Sequence, residues 1–378
     1  MHKRKGHLKA LLLALPLWAA GPAPLQAEEQ PIVIGASLPL SGVQADAGRE
    51  GQAVMQAYVD AVNRQGGIGG RPLQLKVLDD GYEPQRAAGN ARQLIQGGAV
   101  ALLSCWGSAS CGAMQPVLQE AQIPLVGALA GTGPVRQPQG RYTYLLRAST
   151  LSEISAMVQQ MQTLGQNRIT VAYQQDSFGQ NSLETARAVL GSHSLQPLSE
   201  IALEPSGGNA AAAAAQLARQ PQLQGVIVLA GAPATVGLIT AARQAQVGVQ
   251  FYNLAAQAHQ GVVKGLGEHT RGVIFTTLVP SPWRTALAVS KDYQQLLGAA
   301  GKHSASYMGM EVYLNVRTLV DGLRKAGSGV TRASLAAALD SLGEMHYGPM
   351  NIRFASGRHQ GSNYVGLAML NQQGHFID

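Results

Sequence analysis

The densest chemistry in the chain lies in residues 100–111, which bring Ser104, Cys105, Trp106, Gly107, Ser108, Ser110 and Cys111 together. An apolar run, Val100 to Leu103, stops at small polar residues, and a helical pattern follows from Ala113 to Ala121. A buried strand that breaks into Gly and Ser and then opens a helix leaves free N–H groups at the strand's carboxyl end. Those donors and the helix dipole favour a small anionic group such as a carboxylate or phosphate. Ser108 and Ser110 add hydroxyls and Trp106 adds a flat apolar wall, so the turn reads as a ligand-binding turn. The alternative is an ordinary Ser-capped helix start. Cys105 and Cys111 are the only cysteines. A disulfide between them and a pair of free thiols both remain open, because one sits at a strand end and the other in a first helical turn.

Nucleophilic chemistry is the competing use of the same residues. Gly107 to Cys111 falls one residue short of the Gly-x-Ser-x-Gly elbow of serine hydrolases. A hydrolase would need an acid and then a His at later strand ends; Asp176 qualifies for the first, and no His ends an expected strand. The nine His are scattered, with no spacing that would hold a metal. Neither a metal nor a cofactor is expected. Asp79 and Asp80 read as strand-ending acids that cap the next turn, and Gly66 to Gly70 as a turn, since it follows a helix. Tyr307 and Glu311, four apart, read as a solvated helix face, and His359 as exposed in a β-turn.

The elements that position the turn alternate regularly. Strands are expected at 32–38, 73–78, 100–103 and 124–129, with helices at 48–63, 84–96 and 113–121 between them. The pattern restarts with strands at 143–147, 168–173, 198–203, 226–229, 251–254 and 272–278, again separated by helices, one of which carries six consecutive alanines, Ala210 to Ala215. Three helical stretches then follow without a strand (286–300, 307–326 and 332–342), before short strands at 348–354 and 364–370. This is the signature of α/β architecture with parallel sheets, in two similar lobes with a late return to the first. Open sheets of this kind bind ligands at the carboxyl ends of their strands, which points to a cleft between the lobes.

At the start, His2, Lys3, Arg4, Lys5 and Lys9 precede an apolar run from Leu11 to Ala20, and Ala27 ends a plausible cleavage site. Residues 1–27 therefore read as a signal peptide, and the run is short for a membrane span. No Cys lies near Ala27, so the expected product is a periplasmic protein without a lipid anchor. That segment holds four of the 28 Lys and Arg, leaving 24 against 21 acids, a net of +3. So small an excess, without a basic run, argues against nucleic acid as partner.

Several segments resemble the periplasmic solute-binding proteins of ABC importers, in their Leu/Ile/Val-binding type. They are Ile34-Gly35 followed by Pro39-Leu40-Ser41-Gly42, the run Asn63 to Arg71, Asp79-Asp80 before Pro84, the turn Tyr173 to Gly179, and Ala326-Gly327. Their order and spacing extend the resemblance from about Ile32 to Ile377. The turn at 105–110 is similar to the branch that binds amides and urea, and the segment from Tyr307 onward to a less characterised branch. The resemblance implies two Rossmann-like lobes joined by three crossover segments around a cleft. Lobe 1 would be 28–148 and 278–360, and lobe 2 would be 149–277 and 361–378. It further implies a monomer without enzymatic activity that captures a small-molecule ligand and delivers it to an ABC permease in the inner membrane.

By the same resemblance the ligand's polar end falls to Ser108, flanked by Trp106 and Gly107, and to Leu129 (through its backbone), Gly131 and Thr132. Phe178 takes the aromatic position of the second lobe, and Ala47 an aromatic position of the first, which would enlarge the cleft. The family's amino-acid binders place an acid in the loop matching 253–259. That loop holds no carboxylate here, and a buried ammonium without a counter-charge is costly. The expected ligand is thus a small carboxylate-bearing solute: a branched-chain or other amino acid, an aromatic or aliphatic acid, or an amide. A ligand-sensing receptor of the same fold and a serine hydrolase are the alternatives.

Overall fold

The computed structural model describes residues 1–2, 30–136, 141–301 and 304–378. The expected signal peptide lies almost wholly outside the described residues. The first sheet is all parallel, in the order β2-β1-β3-β4-β5, from β1 (Ile32–Leu38), β2 (Leu73–Asp79), β3 (Ala101–Trp106), β4 (Leu125–Leu129) and β5 (Thr143–Tyr144). Between them run α1 (Ala45–Arg64), α2 (Pro84–Gln96) and α3 (Ser108–Ala121). The central strands β3 and β4 are buried throughout, as a parallel sheet covered on both faces requires.

The second lobe opens with α4 (Thr150–Thr163). It continues through β6 (Ile169–Gln174), α5 (Ser177–Ser192), β7 (Glu200–Leu203), α6 (Ala210–Ala218), β8 (Gly225–Leu229), α7 (Ala232–Gln244), β9 (Gln250–Asn253), α8 (Gln260–Leu266) and β10 (Val273–Thr277). The chain then returns to the first lobe for α9 (Ala288–Ala300), α10 (Tyr307–Ala326), α11 (Arg332–Asp340) and a hairpin of β11 (Glu344–Tyr347) and β12 (Met350–Arg353). It ends back in the second sheet as β13 (Gly366–Leu370) and β14 (Phe376–Ile377), both antiparallel, giving the order β14-β13-β10-β9-β8-β6-β7. Three crossovers therefore join the lobes: before α4, after β10 and before β13. Among the described residues no helix is long and apolar enough to cross a membrane.

Helix α10 is the central prop of the first lobe. It packs on α1, β3 and β4, and its Asn315 reaches between the two strands, donating from Nδ2 to the Gly127 carbonyl (3.2 Å) and to Ser104 Oγ (3.4 Å). Ser104 and Gly127 both take positive φ there (55° and 77°), a bulge facing the inserted amide.

Several expectations change. Strand β3 continues through Ser104 and Cys105 to Trp106, because all six residues are buried, and α3 starts at Ser108, five residues early. Strand β5 is only two residues long. Helix α8 and the strands β11 and β14 went unanticipated, being too short to show periodicity. Tyr307 and Glu311 are buried (2% and 5% exposed), not a solvated face: α10 is covered nearly all round, and the Tyr307 hydroxyl donates to Asp378 (2.7 Å). His359 is not free in solvent either. It stacks on Tyr144 (4.1 Å between rings) and pairs with Asp340 (3.0 Å). Asp79 and Asp80 do cap their turn. Asp79 accepts from the N–H groups of Leu40, Ser41 and Gly81, and Asp80 from Tyr82 N–H and the Ser37 hydroxyl. The Ser41 hydroxyl above all, with those N–H groups, holds Asp79 down at about 2.

Candidate functional site

At the carboxyl ends of the two sheets lies a cavity of about 50 Å³. The first lobe contributes Gln44, Tyr82, Trp106, Gly107, Ser108, Leu129 and Gly131; the segment entering the second contributes Arg147, Thr150 and Glu153; the second contributes Gln174, Phe178, Gly231, Leu254, Ala256 and Gln257. Of the residues singled out in the sequence, Trp106, Gly107, Ser108, Leu129, Gly131 and Phe178 line this cavity. Thr132 does not. Its N–H and hydroxyl both donate to Ser108 Oγ (3.2 and 3.0 Å), which places it behind Ser108. Ala47 lies in a neighbouring groove, and Gln44 is the residue of that segment that reaches the cavity.

The 105–111 turn is built to be rigid. Cys105 and Cys111 are joined in a disulfide (Cα–Cα 5.6 Å), tying the end of β3 to the first turn of α3. Gly107 between them has φ 82°, and a Cβ there would lie 2.7 Å from the Tyr82 ring, so no other residue fits. α3 begins without a side-chain cap, and its first N–H groups have no partner within the helix. Two lone pairs of Ser108 Oγ are already taken by Thr132, so its own O–H can only donate. The turn therefore offers donors alone and suits an oxyanion or a carbonyl.

The opposite side of the cavity carries charge that the sequence reading missed. Arg147 (3% exposed) sits between two buried carboxylates, with Nε 3.4 Å from Glu311 and Nη2 3.9 Å from Glu153. Glu153 Oε2 accepts from Ala255 N–H (2.8 Å) and from the Thr276 hydroxyl. Arg136 stands behind them, bonded to the carbonyls of Ala130, Arg147 and Ala148 and to Gln360. Burial pulls Arg136 down to about 10, and Arg147 adds to the fall. Burial likewise pushes Glu311 up, against the pull of Arg147. Three buried polar atoms around the cavity have no hydrogen-bond partner among the described residues: Arg147 Nε, Thr150 Oγ1 and Gln257 Oε1. Thr150 Oγ1 occupies the space beside Gly131, where a Cβ would lie 2.0 Å from it.

These residues had a findable signal. Arg147 ends the fifth strand segment and Glu153 lies in the first turn of the next helix, the same carboxyl-end rule that singled out Ser108. The hydrolase reading gains nothing from the geometry. No His lines the cavity among the described residues, Ser108 is bonded to Thr132, and Asp176 caps α5 through Gly179 N–H (2.8 Å). No cluster of three metal-ligating side chains occurs among the described residues.

The family described as Periplasmic binding protein matches residues 31–375. A Leu/Ile/Val-binding protein homolog of Brucella melitensis is 23% identical over 82% of this chain and 83% of its own. Among solved structures, an extracellular ligand-binding receptor from Verminephrobacter eiseniae superposes with a TM-score of 0.84 at 27% identity, covering 92% of this chain and all of its own. A substrate-binding periplasmic protein from Ralstonia solanacearum gives 0.84 at 26%, over 92% and 99%. Two α/β lobes, a cavity at the carboxyl ends of both sheets and these likenesses agree: the chain belongs to the periplasmic binding protein family.

Proposed function

We propose that this protein is the substrate-binding component of an ABC importer, capturing a small carboxylate-bearing solute in the periplasm and handing it to an inner-membrane permease. The observation that carries the reading is the uncapped start of α3, with Ser108 reduced to a donor, opening into a cavity walled by both lobes. The ligand's oxyanion sits on Ser108 and the first N–H groups of α3, and Trp106 and Phe178 flank its apolar part from opposite lobes. Thr132 positions Ser108. Closure is a hinge movement of residues 28–148 and 278–360 against residues 149–277 and 361–378. No covalent step is required.

A thermal-shift screen of the protein lacking residues 1–27, against amino acids, aliphatic and aromatic acids and amides, tests the reading. A ligand at about 100 times its Kd adds about 2.7 kcal/mol, and the hit should weaken in the Ser108→Ala/Phe178→Ala double variant. No stabilisation by any class, or a hit untouched by the double variant, overturns it.

A further inference from the structure

The cavity has a neighbour. On the far side of Gln44 lies a groove of about 230 Å³, against about 50 Å³ for the cavity itself. Val43, Ala47, Ala232, Pro233 and Val236 give the groove apolar walls, and Asp46 and His259 are its polar residues. Like the cavity it is bounded by both lobes. One side is α1 with the helical turn before it, and the other is α7 with α8.

Among the described residues, Gln44 is the one that borders both spaces. It is 8% exposed, and it reaches across from the first lobe until its Nε2 lies against Gly231, where a Cβ would be 3.0 Å away. The backbone continues the partition: Gly231 faces the cavity, whereas the next two residues, Ala232 and Pro233, face the groove. The Gly231 N–H donates to Gln174 Oε1 (2.9 Å), which anchors that wall.

A cavity of that size has room for only a few water-sized groups. An apolar tail that outgrows it meets the Gln44 side chain, and forcing extra methylenes into a filled space is unfavourable. Beyond Gln44, apolar walls would instead reward each methylene that they cover. We propose that Gln44 sets the length limit of the ligand: the apolar tail ends against this side chain, and the groove behind it becomes an extension of the site once the side chain is removed. The proposal rests on the receptor reading above and concerns the tail of the ligand, whose polar head that reading places at Ser108. Gln44 belongs to one lobe and Gly231 to the other, so the stop is complete only when the lobes come together.

Two homologous series that keep the head and lengthen the tail test it by calorimetric titration into the protein lacking residues 1–27. They are straight-chain 2-amino acids from alanine to 2-aminodecanoate and straight-chain carboxylates from propanoate to decanoate. In the wild type, affinity should rise with length in the series that binds and then fall about tenfold or more at one step. Gln44→Ala should move that step further by about two methylenes or more, each one gained improving Kd about fourfold. Adding Ala232→Leu, which fills the groove, should return the step to its wild-type place, and Ala232→Leu alone should leave the wild-type profile as it is. Gln44→Asn keeps the carboxamide on a shorter stem; it should move the step by about one methylene and carries the test if Gln44→Ala does not fold. A step that stays put in the Gln44 variants, a wild type without a step, or a profile shortened by Ala232→Leu alone overturns the stop and leaves the receptor reading standing. Binding of neither series overturns the stop as well, and together with a blank thermal-shift screen it overturns the receptor reading too.

Discussion

Replacing Glu50 by Gln should make the stability of this protein depend on pH in a way the wild type conceals. Glu50, on α1, is half-buried where the two lobes meet; it accepts from the Ser306 hydroxyl and from Gln260 N–H (3.4 Å) at the start of α8. Burial raises it from 4.5 to about 7, opposed by those two hydrogen bonds, with Asp46 adding slightly to the rise. A carboxyl raised in the folded state contributes stability that is complete below 4.5 and lost as pH climbs through about 7. Two and a half units correspond to about 3 kcal/mol. Beside it, His259 is buried with neither ring nitrogen bonded among the described residues, and burial lowers it from 6.5 to about 4. Its contribution has the opposite sign, present above 6.5 and lost as pH falls through about 4. Between pH 4.5 and 6.5 the two slopes cancel, each worth about 2.7 kcal/mol. Tyr293, whose buried hydroxyl faces Glu50, stays neutral throughout, burial holding it well above its usual range. The Glu50→Gln protein should therefore equal the wild type near pH 4.5 and exceed it by about 3 kcal/mol at pH 8. At about 2.1 cal/mol/K per residue, that is a rise in Tm of about 4 °C. His259→Leu should give the mirror image, gaining on the wild type as pH falls from 6.5 to 4. Calorimetric Tm from pH 4 to 8 at fixed ionic strength decides it. A Glu50→Gln difference that stays flat across that range refutes the reasoning.

Other expectations concern the binding turn and its supports. Ser108→Ala removes a hydroxyl that can only donate, and should cost about 1.5–3 kcal/mol of affinity for an anionic ligand, or about 10–150-fold in Kd. Thr132→Val acts through Ser108 and should cost only several-fold by the same titration. In Gly51→Ala the new Cβ would lie 2.5 Å from the Trp106 ring; Trp106 should be pushed toward the cavity, weakening binding and shifting tryptophan fluorescence while the fold persists. Gly127→Ala combines φ 77° with a Cβ 2.1 Å from Asn315, and should lower Tm by several degrees. Replacing both Cys105 and Cys111 by Ser opens a loop closed over six residues. It should cost about 2 kcal/mol in denaturant titrations and weaken binding further, since the freed turn must then be ordered by the ligand.

The sequence exposed what repeats and what is chemically conspicuous. Alternating apolar runs located the strands of both sheets from β1 to β10, because a parallel strand buried on both faces leaves an unbroken apolar stretch. It located Ser108 and its neighbours because they follow such a stretch. Hidden were features that depend on two distant segments meeting. Arg147, Glu153 and Glu311 look like ordinary charged residues in sequence, and only the crossover and α10 bring them together. Glu311 has helical spacing from Tyr307 and reads as surface; α10 is buried nearly all round, and Arg147 stands opposite that carboxyl at 3.4 Å, partly offsetting its burial. The end of β3 lies later than its sequence suggests for a related reason. Ser104 and Cys105 read as a turn, yet Asn315 bonds the first and a disulfide takes the second, so both stay in the strand.

Helix α10 also sets the order in which the protein can be completed. The Asn315 to Gly127 hydrogen bond spans 188 residues, and the packing that this helix makes on β3 and β4 is missing until it arrives. During synthesis the second sheet has five of its seven strands before α10 emerges, whereas the first sheet, though made earliest, waits with part of one face uncovered. Long-range closure of this kind is slow, and an exposed sheet face is prone to association in the meantime. The lobe that carries Ser108 is thus begun first but completed only after most of the second has been made, and the second sheet gains its last two strands later still, so binding competence appears only once nearly the whole chain is available.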